Sequence, residues 1–269
     1  MNKIKIIAEI GWNHMGNISV AEKMIKAASI SGANYAKFQT WRVKNLKPGP
    51  WDKDGRREIY KKSELSEEDY KILNKICIKY KIKFLTSLFN ENDFDLIQKL
   101  NLREIKIPSP ENRNNSLIKF CSKKFDNVFL STGAATIREI YDSYKLLKRN
   151  KVVLMHCVSS YPCETQNVNL SRIFELKKIS TYVGLSDHTK DILSSALSLS
   201  MGVTLIEKHF TIDNNLPGRD NKFAILPNDM MKLSKTIRIF EQMFEQKKKG
   251  FIKPEIEVRK IYTGRWEKK

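Results

Sequence analysis

The fold class predicted for this 269-residue chain is α/β, a closed barrel of eight alternating βα units, the (β/α)8 TIM barrel. Three observations carry the prediction. Short apolar runs alternate with amphipathic segments from one end to the other, the pattern of parallel strands joined by helices. Eight such runs within about 250 residues suit a closed barrel better than an open sheet. The first turn, Gly11-Trp12-Asn13-His14-Met15-Gly16, lacks the glycine fingerprint that opens a dinucleotide-binding sheet.

In chain order the strands are expected at residues 4–10, 34–39, 83–88, 104–108, 127–131, 152–157, 181–186 and 203–208. Each is followed by a segment of helical period: 18–31, 66–80, 91–100, 114–124, 135–149, 169–178, 190–201 and 228–246. Ser66 with Asp69 forms a capping signature, and Asn228 or Asp229 after Pro227 is a second candidate helix start. Residues 41–65 are rich in Pro, Gly and charge, and are expected to form a mobile loop over one end of the barrel. Residues 1–246 are thus expected to form one catalytic barrel domain. Residues 247–269 are too few for another domain and are expected to form a basic C-terminal tail, or a terminal helix packed on the barrel.

Composition excludes several classes. No apolar run approaches the roughly 20 residues that cross a bilayer, and Glu9 interrupts the only N-terminal stretch resembling a signal-peptide core. Cys77, Cys121, Cys157 and Cys163 are too scattered for a disulfide framework or a zinc site, so reduced thiols and a cytoplasmic location are expected. The formal charge of +19 would attract anionic partners. Lysines are nevertheless spread over nearly every helix, as on solvated faces, and a nucleic-acid partner is not expected. The densest cluster lies between Lys247 and Lys269, nine Lys or Arg against three Glu, and is where a polyanion would bind.

In a βα barrel the chemistry gathers at the C-terminal ends of the strands, and polar residues fall there almost systematically. Strand one ends in Glu9, with Asn13 and His14 beyond; strand two carries Lys37 and Gln39; strand three ends in Thr86-Ser87. Strand four carries Lys106, Ser109 and Glu111, and strand five runs into Ser131-Thr132-Gly133. Strand six runs into His156, Cys157, Ser159 and Tyr161, strand seven into Ser186-Asp187-His188, and strand eight into Glu207-Lys208-His209. All four histidines therefore sit at or just past a strand end.

His188 and His209 come from adjacent strands, which lie about 4.8 Å apart, close enough for two imidazoles to share one divalent metal. Without cysteine ligands at useful spacing, a partly hydrated Mn²⁺ or Mg²⁺ is favoured over structural zinc, with Glu9 or Asp220 as candidate carboxylates. Lys37 and Lys106 interrupt apolar strands, where an ammonium needs a counter-charge. That counter-charge is either an internal carboxylate, Glu9 or Glu111, or a bound phosphate or carboxylate assisted by the hydroxyls of Ser87, Ser109, Ser131 and Ser186.

Taken together the motifs I-A-E-I-G-W-N-H-M-G, A-K-F-Q-T, F-L-T-S-L-F, I-K-I-P-S-P-E-N, L-S-T-G, H-C-V-S-S-Y-P, G-L-S-D-H-T, I-E-K-H-F-T and P-G-R-D-N-K-F resemble the sialic acid synthase family. These are synthases that condense phosphoenolpyruvate with an N-acylated hexose, such as N-acetylmannosamine or a diacylated analogue, to form a nonulosonic acid with release of phosphate. The resemblance covers nearly the whole chain. It implies that His188 and His209 hold the metal and that Lys37, Ser87, Lys106, Ser109, Ser131, Ser159, Tyr161 and Ser186 surround phosphoenolpyruvate. It further implies that Glu111 and Asp220 hold sugar hydroxyls and that Glu9 serves in proton transfer.

Departures from the family pattern are expected to matter. Ser159 stands where many members have Asn, and Pro108 and Pro110 flank Ser109, stiffening that loop. Family members continue into an antifreeze-like C-terminal domain that reaches across a homodimer and contributes an arginine to the sugar's acylamino group, a domain the sequence is expected to lack. Arg219, Arg259 or Arg265, or a separate protein, is then expected to replace that arginine. Two rival readings remain open. A related synthase acting on a phosphorylated aldose would need a second phosphate site, for which Arg42, Arg113 and Arg219 are candidates; a non-catalytic, polyanion-binding barrel would show steep salt dependence and keep binding without His188 and His209.

Overall fold

In a computed structural model describing residues 3–245 and 250–266, eight parallel strands close in sequence order into one barrel. They are β1 (Lys5–Gly11), β2 (Tyr35–Thr40), β3 (Lys83–Leu88), β4 (Glu104–Ile107), β5 (Asn127–Ser131), β6 (Lys151–Cys157), β7 (Val183–Asp187) and β8 (Leu205–His209). The helices are α1 (Ile18–Ile30), α2 (Arg56–Ser63), α3 (Glu67–Lys79), α4 (Asp95–Gln98), α5 (Asn115–Lys124), α6 (Ile137–Leu146), α7 (Arg172–Lys177), α8 (Leu193–Ser198), α9 (Pro227–Phe244) and α10 (Glu255–Ile261). Every expected strand forms, with ends shifted by two residues or fewer.

Strand alternation divides the side chains into two populations. Ile6, Ala8, Ile10, Ala36, Phe38, Ile105, Ile107, Val128, Leu130 and Ile206 face outward and pack in one continuous core with α1, α3, α5 and α9. Burying each large aliphatic side chain stabilises the fold by about 1.5–3 kcal/mol. Ile7, Tyr35, Leu85, Phe129, Val153, Met155 and Leu205 face inward and form a smaller apolar plug. The same parity carries the next inward residues toward the C-terminal mouth: Glu9 above Ile7, Lys37 above Tyr35, Ser87 above Leu85, Ser131 above Phe129 and Glu207 above Leu205. A dry floor beneath a polar layer follows from a period of two.

Local chemistry explains where the elements differ from expectation. β4 stops at Ile107, one residue early, because Pro108 has no N–H to offer a neighbouring strand, and Ser109–Glu111 form a 3-10 turn. The expected helix 91–100 splits into a 3-10 turn, Glu91–Asp93, capped by the Asn90 side chain, and the short α4, which ends before Asn101 at a positive φ of 48°. The 41–65 loop contains α2, entered through Gly55 at φ 81°, with Glu58 in its first turn and Lys61 and Lys62 in its last, complementing the helix dipole. Ser66 and Asp69 form the expected capping box on α3. In α9 Leu226 is the N-cap and Pro227 occupies the first turn, so neither Asn228 nor Asp229 caps it. From Gly250 to Trp266 the chain holds α10 and is exposed throughout; residues 246–249 and 267–269 of the expected last helix and tail lie outside the described residues.

Candidate active site

The polar layer above the plug centres on two lysines and two glutamates, all buried. Lys37 Nζ lies 2.7 Å from Glu9 Oε2 and 3.8 Å from Glu207 Oε2, and donates to Ser87 Oγ at 2.8 Å. Lys106 is in close ion-pair contact with Glu207 Oε1 and lies 3.4 Å from Ser186 Oγ, which itself donates to Glu207 at 2.9 Å. Gln39 donates to the other oxygen of Glu9 at 2.6 Å. The register accounts for the convergence: Glu9 pairs with Lys37 across β1–β2, Ser87 with Lys106 across β3–β4, and Ser186 with Glu207 across β7–β8.

Lys37 thus meets Glu9, as one sequence reading expected, whereas Lys106 meets Glu207 and neither Glu9 nor Glu111 as an ion-pair partner. Glu111 sits half-buried on the turn after β4 and accepts a hydrogen bond from Asn114 at 2.8 Å, because Pro108 and Pro110 turn the chain there. Glu207 is a strand-end residue for which the sequence suggests no role. Its inward parity with His209, two positions on, is the signal that identifies it.

The two carboxyls are driven apart. Burial pushes Glu9 above the usual carboxylate range, and Glu207's charge adds to this against the pull of Lys37. Burial acts upward on Glu207 as well, yet Lys106 and Lys37 hold it down to about 2. Burial also lowers Lys106, against the opposing charge of Glu207. Two neighbouring glutamates, one raised by burial and the other held low by two lysines, form the arrangement that separates acid–base from electrostatic roles.

Above this layer His188 and His209 stand with ring centroids 5.4 Å apart. Tyr161 lies over His188 at 4.2 Å, and Phe223 flanks His209 at 5.0 Å. His188 Nδ1 lies 2.7 Å from the Val158 carbonyl and 3.9 Å from Cys157 Sγ. Burial opposes charge on both partners, but mutual attraction lowers the Cys157 thiol and raises the His188 imidazole. Burial, reinforced by His188, keeps His209 neutral, well below the ordinary histidine range. Asp220 Oδ2 is 3.4 Å from His209 Nδ1, and burial raises this carboxyl to about 6.

The remaining predicted residues lie at the ends of β4, β5 and β6 and on the turns that follow them. Ser109 Oγ accepts from the Gly133 N–H at 3.1 Å and donates to Cys157 Sγ at 3.3 Å. A side chain on Gly133 would overlap Ser159 Oγ and come within 2.7 Å of Ser109 Oγ, so glycine permits three elements to meet here. Ser131 Oγ is buried without a hydrogen-bond partner among the described residues. Ser159 and Tyr161 lie at the exposed rim.

His14 and His156, also at strand ends, are buried elsewhere: His14 accepts from the Gly16 N–H, and His156 Nε2 lies 2.7 Å from the Val168 carbonyl. Burial lowers both, His14 to about 4. Of the three cations expected for a second phosphate, Arg42 pairs with Asp93 and Asp95 and Arg113 pairs with Glu139. Arg259 and Arg265 stack on Phe251, Tyr262 and Trp266 of their own segment, whereas Arg219 directly precedes Asp220.

The NeuB family model matches residues 24–249. The chain belongs to the NeuB family. Within it, the chain is 35% identical over 255 residues to the N,N'-diacetyllegionaminic acid synthase of Campylobacter jejuni, covering 88% of this chain and 76% of that one. Over 252 residues it is 35% identical to the enzyme of the same name from Legionella pneumophila, covering 87% and 71%. The crystal structure of an N-acetylneuraminic acid synthetase from Leptospira borgpetersenii, in complex with citrate, superposes with a TM-score of 0.90 at 28% identity, covering 100% of this chain and 94% of that one. The resemblance expected from the motifs is therefore borne out, as is the barrel.

The resemblance to the sialic acid synthase family implies a divalent metal, and the residues present fit one. Among the described residues no group of three or more His, Cys, Asp and Glu could hold a metal ion together, and the paired imidazoles of His188 and His209 are the residues that would hold one. His188 spends Nδ1 on a backbone carbonyl, leaving Nε2 for a metal, the usual outer-shell arrangement. His209 Nδ1 is buried and has no hydrogen bond among the described residues.

Proposed function

We propose that this chain condenses phosphoenolpyruvate with the open-chain aldehyde of an N-acylated hexose, forming a nonulosonic acid and releasing phosphate. The observation that carries the reading is the buried quartet of Lys37, Glu9, Glu207 and Lys106 beneath the paired imidazoles, in a chain of the NeuB family.

Without ligand the two ammoniums are balanced by the two carboxylates. An entering phosphate and carboxylate would compete for Lys37 and Lys106, with Ser87, Ser131 and Ser186 as hydroxyl donors and Ser109, Ser159 and the Gly133 backbone shaping the adjacent pocket. Ser131, whose hydroxyl has no partner among the described residues, would be free to donate to such an anion. Tyr161 would cover the ligand from the rim, and Asp220 and Glu111 would receive sugar hydroxyls.

His188 and His209 would hold Mn²⁺ or Mg²⁺, which supplies Lewis-acid polarisation of the sugar aldehyde. The C2=C3 π pair of phosphoenolpyruvate forms the new bond from C3 to the aldehyde carbon, the aldehyde oxygen takes up a proton to become a hydroxyl, and water provides the oxygen at C2. The C2–O bond to phosphate then breaks. Glu9, raised by burial and held by Lys37 and Gln39, would accept the proton from that water, while ionised Glu207 keeps Lys106 and Lys37 in place.

The test is incubation with phosphoenolpyruvate, Mn²⁺ and a panel of aldoses, including N-acetylmannosamine, diacylated hexoses and phosphorylated pentoses. Phosphate and a 2-keto acid are expected in equal amounts from an N-acyl hexose. Turnover only with phosphorylated aldoses, or with none, would refute the proposal.

A further inference from the structure

The residue after each metal-binding position's inward neighbour, Asp187 before His188 and Lys208 before His209, is charged and points away from the barrel interior. Ile206 and Phe210, two positions either side of Lys208 on the same face, belong to the apolar layer between sheet and helices. An ion pair placed in that layer is costly unless every donor and acceptor is satisfied. Here they are. Asp187 and Lys208 are partners in the β7–β8 register, with Oδ2 and Nζ 3.2 Å apart and both residues buried. Asp187 also accepts from the Thr189 N–H at 2.9 Å, the Thr189 hydroxyl at 2.8 Å and the hydroxyls of Ser194 and Ser195 at 2.6 Å each. Lys208 donates to the carbonyls of Thr189 at 2.5 Å and Asp191 at 2.7 Å.

We infer that Asp187 and Lys208 are positioning residues that set the separation and orientation of the His188 and His209 imidazoles. The argument is one of parity and connectivity. Slipping β7 against β8 by one residue would exchange inward and outward side chains and carry an imidazole out of the barrel. The ion pair opposes that slip, because among the described residues neither charge has another partner of opposite sign in direct contact. Through Thr189 and Asp191 it also ties down the segment that leaves His188, while the Ser194 and Ser195 contacts anchor Asp187 to the start of α8. The role inferred for this pair is therefore to fix register and not to add net stability. The function served is a pair of ligands already held in place before any metal arrives.

The inference rests on the reading of His188 and His209 as metal ligands. Its test compares the parent with the double variant Asp187→Asn/Lys208→Met, which removes both charges and leaves neither buried alone. Mn²⁺ binding is measured by calorimetry and by the electron paramagnetic resonance spectrum without substrates, alongside Tm, kcat and KM for phosphoenolpyruvate at saturating Mn²⁺. The expected result is Mn²⁺ affinity weakened about 10- to 100-fold, an altered resonance line shape, lower kcat, and a phosphoenolpyruvate KM within about twofold of the parent, as local metal-site disorder leaves the lysine pocket intact. Should the double variant not fold, Ser195→Ala, which keeps both charges and deletes one hydrogen bond to Asp187, is expected to weaken Mn²⁺ binding severalfold at nearly unchanged Tm. Parent-like Mn²⁺ binding and line shape in a folded double variant, or in Ser195→Ala if the double variant is unfolded, would overturn the positioning role alone. A parent protein that binds no Mn²⁺ would overturn the metal reading itself and this inference with it.

Discussion

Replacing Glu207 by Gln is the most demanding test of the buried quartet. The substitution preserves shape and removes the carboxylate that contacts Lys106 directly, lies 3.8 Å from Lys37 and accepts from Ser186. Among the described residues Glu9 then remains as the one carboxylate in contact with either ammonium, and burial raises its pKa. Breaking a buried ion pair from one side costs about 3–5 kcal/mol. For a chain of this size each kcal/mol lowers Tm by about 2–4 °C, so the expected fall is about 6–20 °C. Thermal unfolding followed by circular dichroism measures it. Lys106→Met and the double variant complete a mutant cycle, in which the double variant should be more stable than the sum of the single losses by at least about 1 kcal/mol. Phosphoenolpyruvate, whose anionic groups replace the lost charge, should raise the Tm of Glu207→Gln more than that of the parent. A loss below about 1 kcal/mol, or additive single effects, would refute the claim that Glu207 neutralises the lysines.

Glu9→Gln should lower kcat by about 10²- to 10⁴-fold while changing the phosphoenolpyruvate KM only severalfold; steady-state kinetics showing a pure KM effect would remove Glu9 from proton transfer. Mn²⁺ affinity should weaken as the solution becomes more acidic: the His188 pKa is raised above its ordinary value, the proton and the metal compete for one imidazole, and the loss therefore begins at a higher pH than for an unperturbed histidine. Calorimetric titrations at a series of pH values check this, and an affinity that does not change would contradict it. Gly133→Ala should impair phosphoenolpyruvate binding more than it impairs folding, because the added methyl meets Ser159 and Ser109 rather than the apolar core; a KM within twofold of the parent would show that this crevice is not part of the pocket.

The amino-acid sequence by itself determined the barrel and most of the residues around its mouth. Eight β-length apolar runs separated by helical periods leave few other architectures, and strand-end positions carry chemistry in this fold because parallel connections place every C-terminal strand end on one face. Lys37, Ser87, Lys106, Ser186, His188 and His209 were legible for that reason: a cation, or a run of hydroxyl and imidazole groups, interrupting a buried strand demands an explanation that an apolar residue does not. Only the tertiary structure decided who meets whom. Lys106 and Glu207 are separated by 101 positions in the chain, and their contact depends on shear and register around the barrel, which local sequence does not encode. The same holds for Ser109, Gly133 and Ser159, which lie on loops whose course is set by prolines and by packing. The four histidines looked alike in the sequence; the structure separated them, because His14 and His156 satisfy backbone groups while His188 and His209 face one another across two strands. Pairing between distant strands is a property of the closed sheet as a whole, and so the partners of buried charges became known only once the barrel was closed.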